Sequence, residues 1–288
     1  MKCLSVSLLL AMMSVALQAA TPAAAAPGND PAVHKPIKVS KIILVGDSTV
    51  AVQGGWGPSF CAEHVTSSAA CVNLARGGRS TSSYIAEGSW QIALAEARVP
   101  GYTNIWVLIQ FGHNDQPGKP GRSTDLKSEF PANLERYVRE ARAAGAQPVL
   151  VSSLTRRMFK KGELLNTLRP WAEATAAVAA KLDVPFIDLN LASSRAVAEM
   201  GAAEAAKFAP RRPADDVLAA AKAGTTIAAK TADEVQDQPA MPAVPGMAQP
   251  KLSFDYTHLG REGADSFAAM MARELAETLP EMRPLLIP

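Results

Sequence analysis

Five short runs of apolar and β-branched residues recur along the chain: KIILVG (41–46), CVNL (71–74), IWVLIQF (105–111), PVLVSS (148–153) and VPFIDL (184–189). None shows the clean apolar–polar alternation of a strand with one wet face, so each is expected to be buried on both faces. Between them lie stretches with helical periodicity, notably 126–144, which ends at Gly145, and 168–182. Alternation of strand and helix predicts an α/β fold in which helices cover both sides of a parallel, five-stranded sheet. A final amphipathic helix over 262–279 should lay Phe267, Met270, Met271 and Leu275 against that sheet.

Two segments fall outside this rhythm. Lys2, an apolar run over 4–17 and small residues over 19–26 have the three parts of a secretory signal peptide, so residues 1–26 are expected to be removed. The run is short for a bilayer, an uncleaved anchor being the alternative, and an exported protein, periplasmic or extracellular and without stable membrane insertion, is expected. Residues 201–251 are rich in Ala and Pro with one candidate helix at 215–222, and are expected to be a low-complexity insertion, either a lid or a surface excursion. At roughly 150 residues per domain the length would suggest two domains, but once these segments are set aside a single domain over 27–288 accounts for the rest.

Hydrophobic residues at 48% and charged residues at 19% exclude a disordered chain, a collagen and a coiled coil. The formal charge is +2, and the leader takes away only Lys2, so no basic stripe of the kind that binds nucleic acid is expected. Of the three cysteines, Cys3 leaves with the leader, and Cys61 and Cys71 are expected to form a disulfide in an oxidising compartment. Two buried thiols are the alternative, and the pair lacks the two-residue spacing of a zinc hairpin.

In a doubly wound sheet ligands gather at the carboxyl ends of the strands. After the first run comes Gly46-Asp47-Ser48-Thr49, a tight turn that would hold a hydroxyl at the sheet edge, although Ser and Asp also cap helices. After the second comes Gly77-Gly78-Arg79-Ser80, in which glycine lets the backbone approach a ligand and aim an N–H outward. No GxGxxG follows any strand, so no dinucleotide site is expected. After the third comes Gly112-His113-Asn114-Asp115, placing an imidazole, an amide and a carboxylate at one strand end. Just before the last helix comes Asp255-Tyr256-Thr257-His258, whose three-residue spacing lets a carboxylate accept from imidazole Nδ1 and leave Nε2 as a base. Each element alone is ordinary turn chemistry. Together they supply nucleophile, base, orienting acid and oxyanion donors, all that acyl transfer needs.

These residues resemble the signature of the SGNH (GDSL-type) hydrolases, matched here by Ser48, Gly78, Asn114 and His258. The chain is most similar to the rhamnogalacturonan acetylesterase family, through GDST at 46–49, GRS at 78–80, GHND at 112–115 and DYTH at 255–258. The likeness covers about 38–191 and 254–279 and stops across the insertion. It implies a three-layer α/β/α sandwich resembling flavodoxin and a secreted serine esterase that deacetylates plant cell-wall polysaccharide, rhamnogalacturonan foremost. It further implies Ser48 as nucleophile, an oxyanion hole made by the backbone N–H groups of Ser48 and Gly78 with the Asn114 side chain, and no metal or organic cofactor.

On that reading His258 is the base, Asp255 its orienting acid, and Asp47 and His113 hold the two loops behind them. Trp56, a few residues past the nucleophile, is expected to stack on a sugar ring unless it is core. Arg156 and Arg157 are expected to meet uronate carboxylates, solvated surface charge being the equal alternative. His64 is assigned only to packing or solvation. The partner is an acetylated polysaccharide or oligosaccharide, and the protein is expected to be a monomer. Three rivals differ in class or substrate: an acetyl xylan or general short-chain esterase, a metallohydrolase using His113, Asp115, Asp255 and His258, and a carbohydrate-binding protein without catalysis.

Overall fold

The computed structural model describes residues 39–226 and 253–288. In chain order its elements are β1 (Val39–Gly46), α1 (Gly57–Glu63), β2 (Ala69–Asn73), α2 (Thr81–Ala86), α3 (Ser89–Ala97), β3 (Tyr102–Gln110), α4 (Glu129–Ala143), β4 (Gln147–Val151), β5 (Phe159–Lys160), β6 (Glu163–Leu164), α5 (Arg169–Leu182), β7 (Phe186–Ile187), α6 (Leu189–Ala205), α7 (Asp215–Lys222) and α8 (Arg261–Thr278). The proposed signal peptide, residues 1–26, lies outside the described residues, as does 227–252.

Five strands make one parallel sheet in the order β2-β1-β3-β4-β7, while β5 and β6 form a separate two-stranded hairpin. Successive side chains of a strand point to opposite faces, and both faces are dry. Ile42 and Leu44 of β1, Trp106 and Leu108 of β3, and Val149 and Val151 of β4 join Phe60, Val197 and Phe267 from α1, α6 and α8. Ile43, Val45, Val107, Ile109 and Leu150 face the other way, onto Ala93, Leu134 and Val178 from α3, α4 and α5. This is the three-layer α/β/α sandwich that the apolar runs anticipate.

The last strand is shorter than its run. Of 184–189 only Phe186–Ile187 pairs, because Asp188 turns the chain into a helix by accepting from Leu191 N at 3.1 Å as the N-cap of α6. The long helix α6 was not expected, and neither was its continuation into the fold. It is interrupted at Gly201 and followed by a 3-10 turn, Ala206–Phe208, whose Phe208 packs edge-on against Phe267 at 5.6 Å. Ala202, Ala205, Ala206, Phe208 and Ala221 are all buried. After α7, Thr226 N donates to Phe159 O at 3.0 Å, and Gly162 N donates to Gly224 O at 2.7 Å. The expectation of an insertion beginning at 201 is thus corrected: residues 201–226 belong to the core, their alanines being the small side chains that close packing against α8 requires.

Cys61 in α1 and Cys71 in β2 are bonded, with Cα atoms 5.4 Å apart. No helix among the described residues is long and apolar enough to cross a membrane.

Candidate active site

The sheet register brings the ends of β1, β2 and β3 side by side, with Gly46 opposite Gln110 and Leu44 opposite Asn73. A Cβ on Gly46 would come within 2.7 Å of the Gln110 carbonyl, so only glycine lets the chain turn there. The turn that follows is tied down from below. Asp47 Oδ1 accepts from both the N–H and the hydroxyl of Thr49 at 2.8 Å, Gln110 Nε2 donates to Thr49 Oγ1 at 2.8 Å, and Trp56 Nε1 donates to Gln110 Oε1 at 3.0 Å. Of residues 46–49 only Ser48 is not fully buried.

Trp56 is therefore a buttress of the nucleophile turn. It is 1% exposed and offers no face to a sugar, which corrects its assignment to substrate stacking.

The second loop reaches over Ser48. Arg76 N donates to Gly46 O at 3.0 Å, and a Cβ on Gly77 would lie 3.7 Å from that of Ser48. Gly78 has φ +77, a left-handed conformation natural to glycine. Ser80 ends the loop as N-cap of α2, in a capping box with Ser83.

The third loop lies against the second. Asn114 Nδ2 donates one hydrogen to Arg79 O at 3.0 Å, which leaves its other hydrogen for a ligand. Asp115 Oδ1 accepts from Thr81 N at 3.0 Å, Thr81 Oγ1 at 2.5 Å and Thr124 Oγ1 at 3.0 Å, stapling the two loops together. Burial pushes the Asp115 carboxyl up to about 7 against those donors. His113 is buried with Nδ1 3.5 Å from Asp47 Oδ2, and burial pulls its pKa down to about 4. Burial also works against the charge of Asp47, but His113 and the donors of Thr49 outweigh it and hold its carboxyl below the usual range. The ammonium of Lys119 donates to the His113 carbonyl and closes the loop from outside.

The fourth element completes the cleft. Leu259 N donates to Gly54 O at 2.8 Å, fastening the Asp-x-x-His turn to the segment after the nucleophile. Asp255 Oδ1 accepts from Thr257 N at 2.7 Å and His258 N at 2.6 Å, and Oδ2 meets His258 Nδ1 at 2.7 Å. Burial would raise the Asp255 carboxyl, yet the bonds to His258 hold it below the usual range. An ionised partner fixes the proton on Nδ1 and leaves Nε2 free as a base. No hydrogen bond joins His258 to Ser48 among the described residues; in unliganded hydrolases that bond commonly tightens only when substrate is held.

Arg156 and Arg157 are not the surface cations that their position suggested. Arg157 is 1% exposed, and its guanidinium donates to the carbonyls of Thr257 at 3.3 Å, Asp255 at 3.0 Å and His258 at 2.7 Å. Arg156 is buried beside it, donating to Gln116 Oε1 at 2.7 Å and Thr167 Oγ1 at 3.0 Å, with Nε 3.3 Å from Thr257 Oγ1. Their assignment to uronate binding is corrected to support of the loops. The sequence offered only one hint of it, two arginines at a strand end where a solvated pair would more usually be found on a helix face. His64 lies away from the cleft, with Nδ1 against Ile287 O at 2.6 Å. Among the described residues no three His, Cys, Asp or Glu side chains are gathered as metal ligands would be: His113 lies against Asp47, Asp115 accepts from Thr81 and Thr124, and Asp255 pairs with His258.

A parallel sheet with a serine turn, two donor loops and an Asp–His turn at one edge defines an α/β serine hydrolase site. The chain belongs to the GDSL-like Lipase/Acylhydrolase family, whose profile matches residues 44–216. It is similar to a rhamnogalacturonan acetylesterase of Bacillus subtilis, 41% identical over 181 residues, covering 60% of this chain and 73% of the relative. A probable rhamnogalacturonan acetylesterase of the same organism is 35% identical over 155 residues, covering 51% and 69%. The crystal structure of the Bacillus subtilis protein YXIM has the same fold, with a TM-score of 0.59 at 21% identity; the match covers 84% of this chain and 58% of that one.

Proposed function

We propose that the protein is an exported serine acetylesterase that removes acetyl groups from plant cell-wall polysaccharide, rhamnogalacturonan above all. Ser48 Oγ attacks the acetyl carbonyl carbon while His258 Nε2 takes its proton and Asp255 stabilises the imidazolium. The oxygen that gains negative charge is met by the N–H groups of Ser48 and Gly78 and by the free hydrogen of Asn114. Collapse expels the sugar oxygen, which takes the proton from His258, and water then repeats the sequence on the acetyl-enzyme. No metal or organic cofactor enters these steps.

The observation that carries the mechanism is the 2.7 Å contact between Asp255 and His258 on a turn fastened beside the nucleophile segment. The polysaccharide class is supported by the 41% identity to a rhamnogalacturonan acetylesterase, and export by the apolar leader together with the Cys61–Cys71 bond. Acetate release from acetylated rhamnogalacturonan, homogalacturonan and xylan decides the substrate. The highest kcat/KM should fall on rhamnogalacturonan; a preference for acetylated xylan, or for small esters alone, would replace that polymer with the other.

A further inference from the structure

The oxyanion loops carry one cation that the mechanism leaves unused. Arg122 follows β3 in the loop that closes on Asp115, and its side chain is half-buried. Its Nη1 lies 3.4 Å from Asn114 Oδ1, and a Cβ built on Gly78 would lie 3.6 Å from the same nitrogen. The guanidinium therefore stands against two of the three groups assigned to the oxyanion. Its backbone is held by Arg122 N donating to Lys119 O at 3.0 Å and by the Ser123 hydroxyl, which donates to Gln116 O at 2.8 Å and accepts from Lys119 N at 2.8 Å.

The other arginines of this edge are engaged. Arg76 and Arg79 pair with Glu87, and Arg156 and Arg157 are buried among neutral oxygens. No carboxylate among the described residues pairs with Arg122, whose single acceptor is the long contact to Asn114. Arg156 adds positive charge nearby, burial together with Arg156 and Arg122 pulls the Lys119 pKa down to about 7, and the carboxylates Asp47 and Asp115 are buried with Oδ1 already hydrogen-bonded. A planar guanidinium with free donors at the mouth of a cleft suits a carboxylate, which it can grip with two parallel hydrogen bonds.

We propose that Arg122 is a substrate-binding residue that pairs with a uronate carboxylate, on the sugar that carries the acetyl ester or on its neighbour. With the ester oxygen among Ser48, Gly78 and Asn114, a carboxylate across one sugar ring falls within reach of the fork. The proposal rests on the polysaccharide reading above and narrows it to a polyanionic acetyl ester.

The test compares the full chain with Arg122→Gln and Arg122→Lys on acetylated rhamnogalacturonan oligosaccharides, with carboxyls either free or methyl-esterified, by acetate release. The ratio of kcat/KM on free over esterified substrate should fall about ten- to a hundredfold in Arg122→Gln, mainly through KM, with Arg122→Lys between. An unchanged ratio, even with both rates lowered, overturns the proposal and makes Arg122 a support for Asn114. Inhibition of p-nitrophenyl acetate hydrolysis by unacetylated galacturonate oligomers separates this from the choice of polymer. Should the wild-type protein release no acetate from rhamnogalacturonan, the polymer reading falls. Arg122 then stands only if those oligomers inhibit the wild type at least about tenfold more tightly than Arg122→Gln, and falls if they inhibit both alike or neither.

Discussion

Arg157 Nη2 donates to the carbonyl of His258 at 2.7 Å and to that of Asp255 at 3.0 Å, so one buried guanidinium holds both ends of the turn that carries the proposed base and its acid. Burial lowers the Arg157 pKa to about 10, with Asp255 acting in the opposite sense, so the group remains charged at neutral pH. The turn sits about a hundred residues from Arg157 in sequence, and removing the guanidinium would take its side-chain donors from three of the turn's carbonyls.

Arg157→Met should therefore lower kcat on p-nitrophenyl acetate by at least about tenfold with little change in KM, and lower thermal stability as buried acceptors go unmet. Arg157→Lys should recover part of both, since one ammonium can reach some of the carbonyls. Equal kcat in the Met variant would show that Asp255 alone holds the turn.

On the proposed mechanism, Asn114→Ala removes a donor to charge that exists only near the transition state. Turnover should fall about a hundred- to a thousandfold, or roughly 2.7–4 kcal/mol, while KM barely moves. Steady-state kinetics showing a change in KM alone would return Asn114 to a role in bracing the Arg79 loop, to which it already donates at 3.0 Å.

The buried His113 gives stability a pH dependence of known sign. Its pKa falls from 6.5 to about 4 on folding, so between those values the unfolded chain binds a proton that the folded chain refuses. The His113 contribution should be fully present above pH 6.5 and be lost as pH falls toward about 4. Asp47 and Asp255, held below the ordinary 3.8, lose their contributions at lower pH, whereas Asp115, raised to about 7, acts in the opposite sense across the same window, so the His113 contribution is read as the difference between variant and wild type. Urea midpoints measured from pH 7 down through this window should fall less steeply in His113→Gln than in wild type. Parallel curves would mean that His113 titrates normally.

The Cys61–Cys71 bond closes a short loop with a sequence separation of 10. Loop-closure entropy predicts that Cys61→Ser/Cys71→Ser loses about 2–3 kcal/mol of stability without changing KM, since the bond lies on the α1 side of β2, away from the cleft. A stability change near zero by denaturant unfolding would contradict this.

The sheet was legible because every strand buried on both faces leaves a run of Ile, Val and Leu, and the cleft because each signature follows such a run. The supports were hidden. Gln110 sits last but one in its run as one polar residue among apolar ones, and only the structure shows it bridging Trp56 and Thr49. The clamp by Arg157 joins residues about a hundred positions apart, which no local pattern encodes. Helix α6 and the turn at 206–208 escaped notice because alanine carries little amphipathic signal, although it is the residue that lets Phe208 and α8 pack closely; the candidate helix at 215–222 was legible and is α7.

The central claim is that Ser48 is the nucleophile of an acetyl transfer, and acetate release by Ser48→Ala tests it most directly. The variant should fold with an unchanged melting temperature, because the Ser48 side chain carries no packing beneath the turn. It should release acetate from acetylated rhamnogalacturonan and p-nitrophenyl acetate at less than about a hundredth of the wild-type rate. Activity near the wild-type level in a correctly folded Ser48→Ala protein would contradict the account.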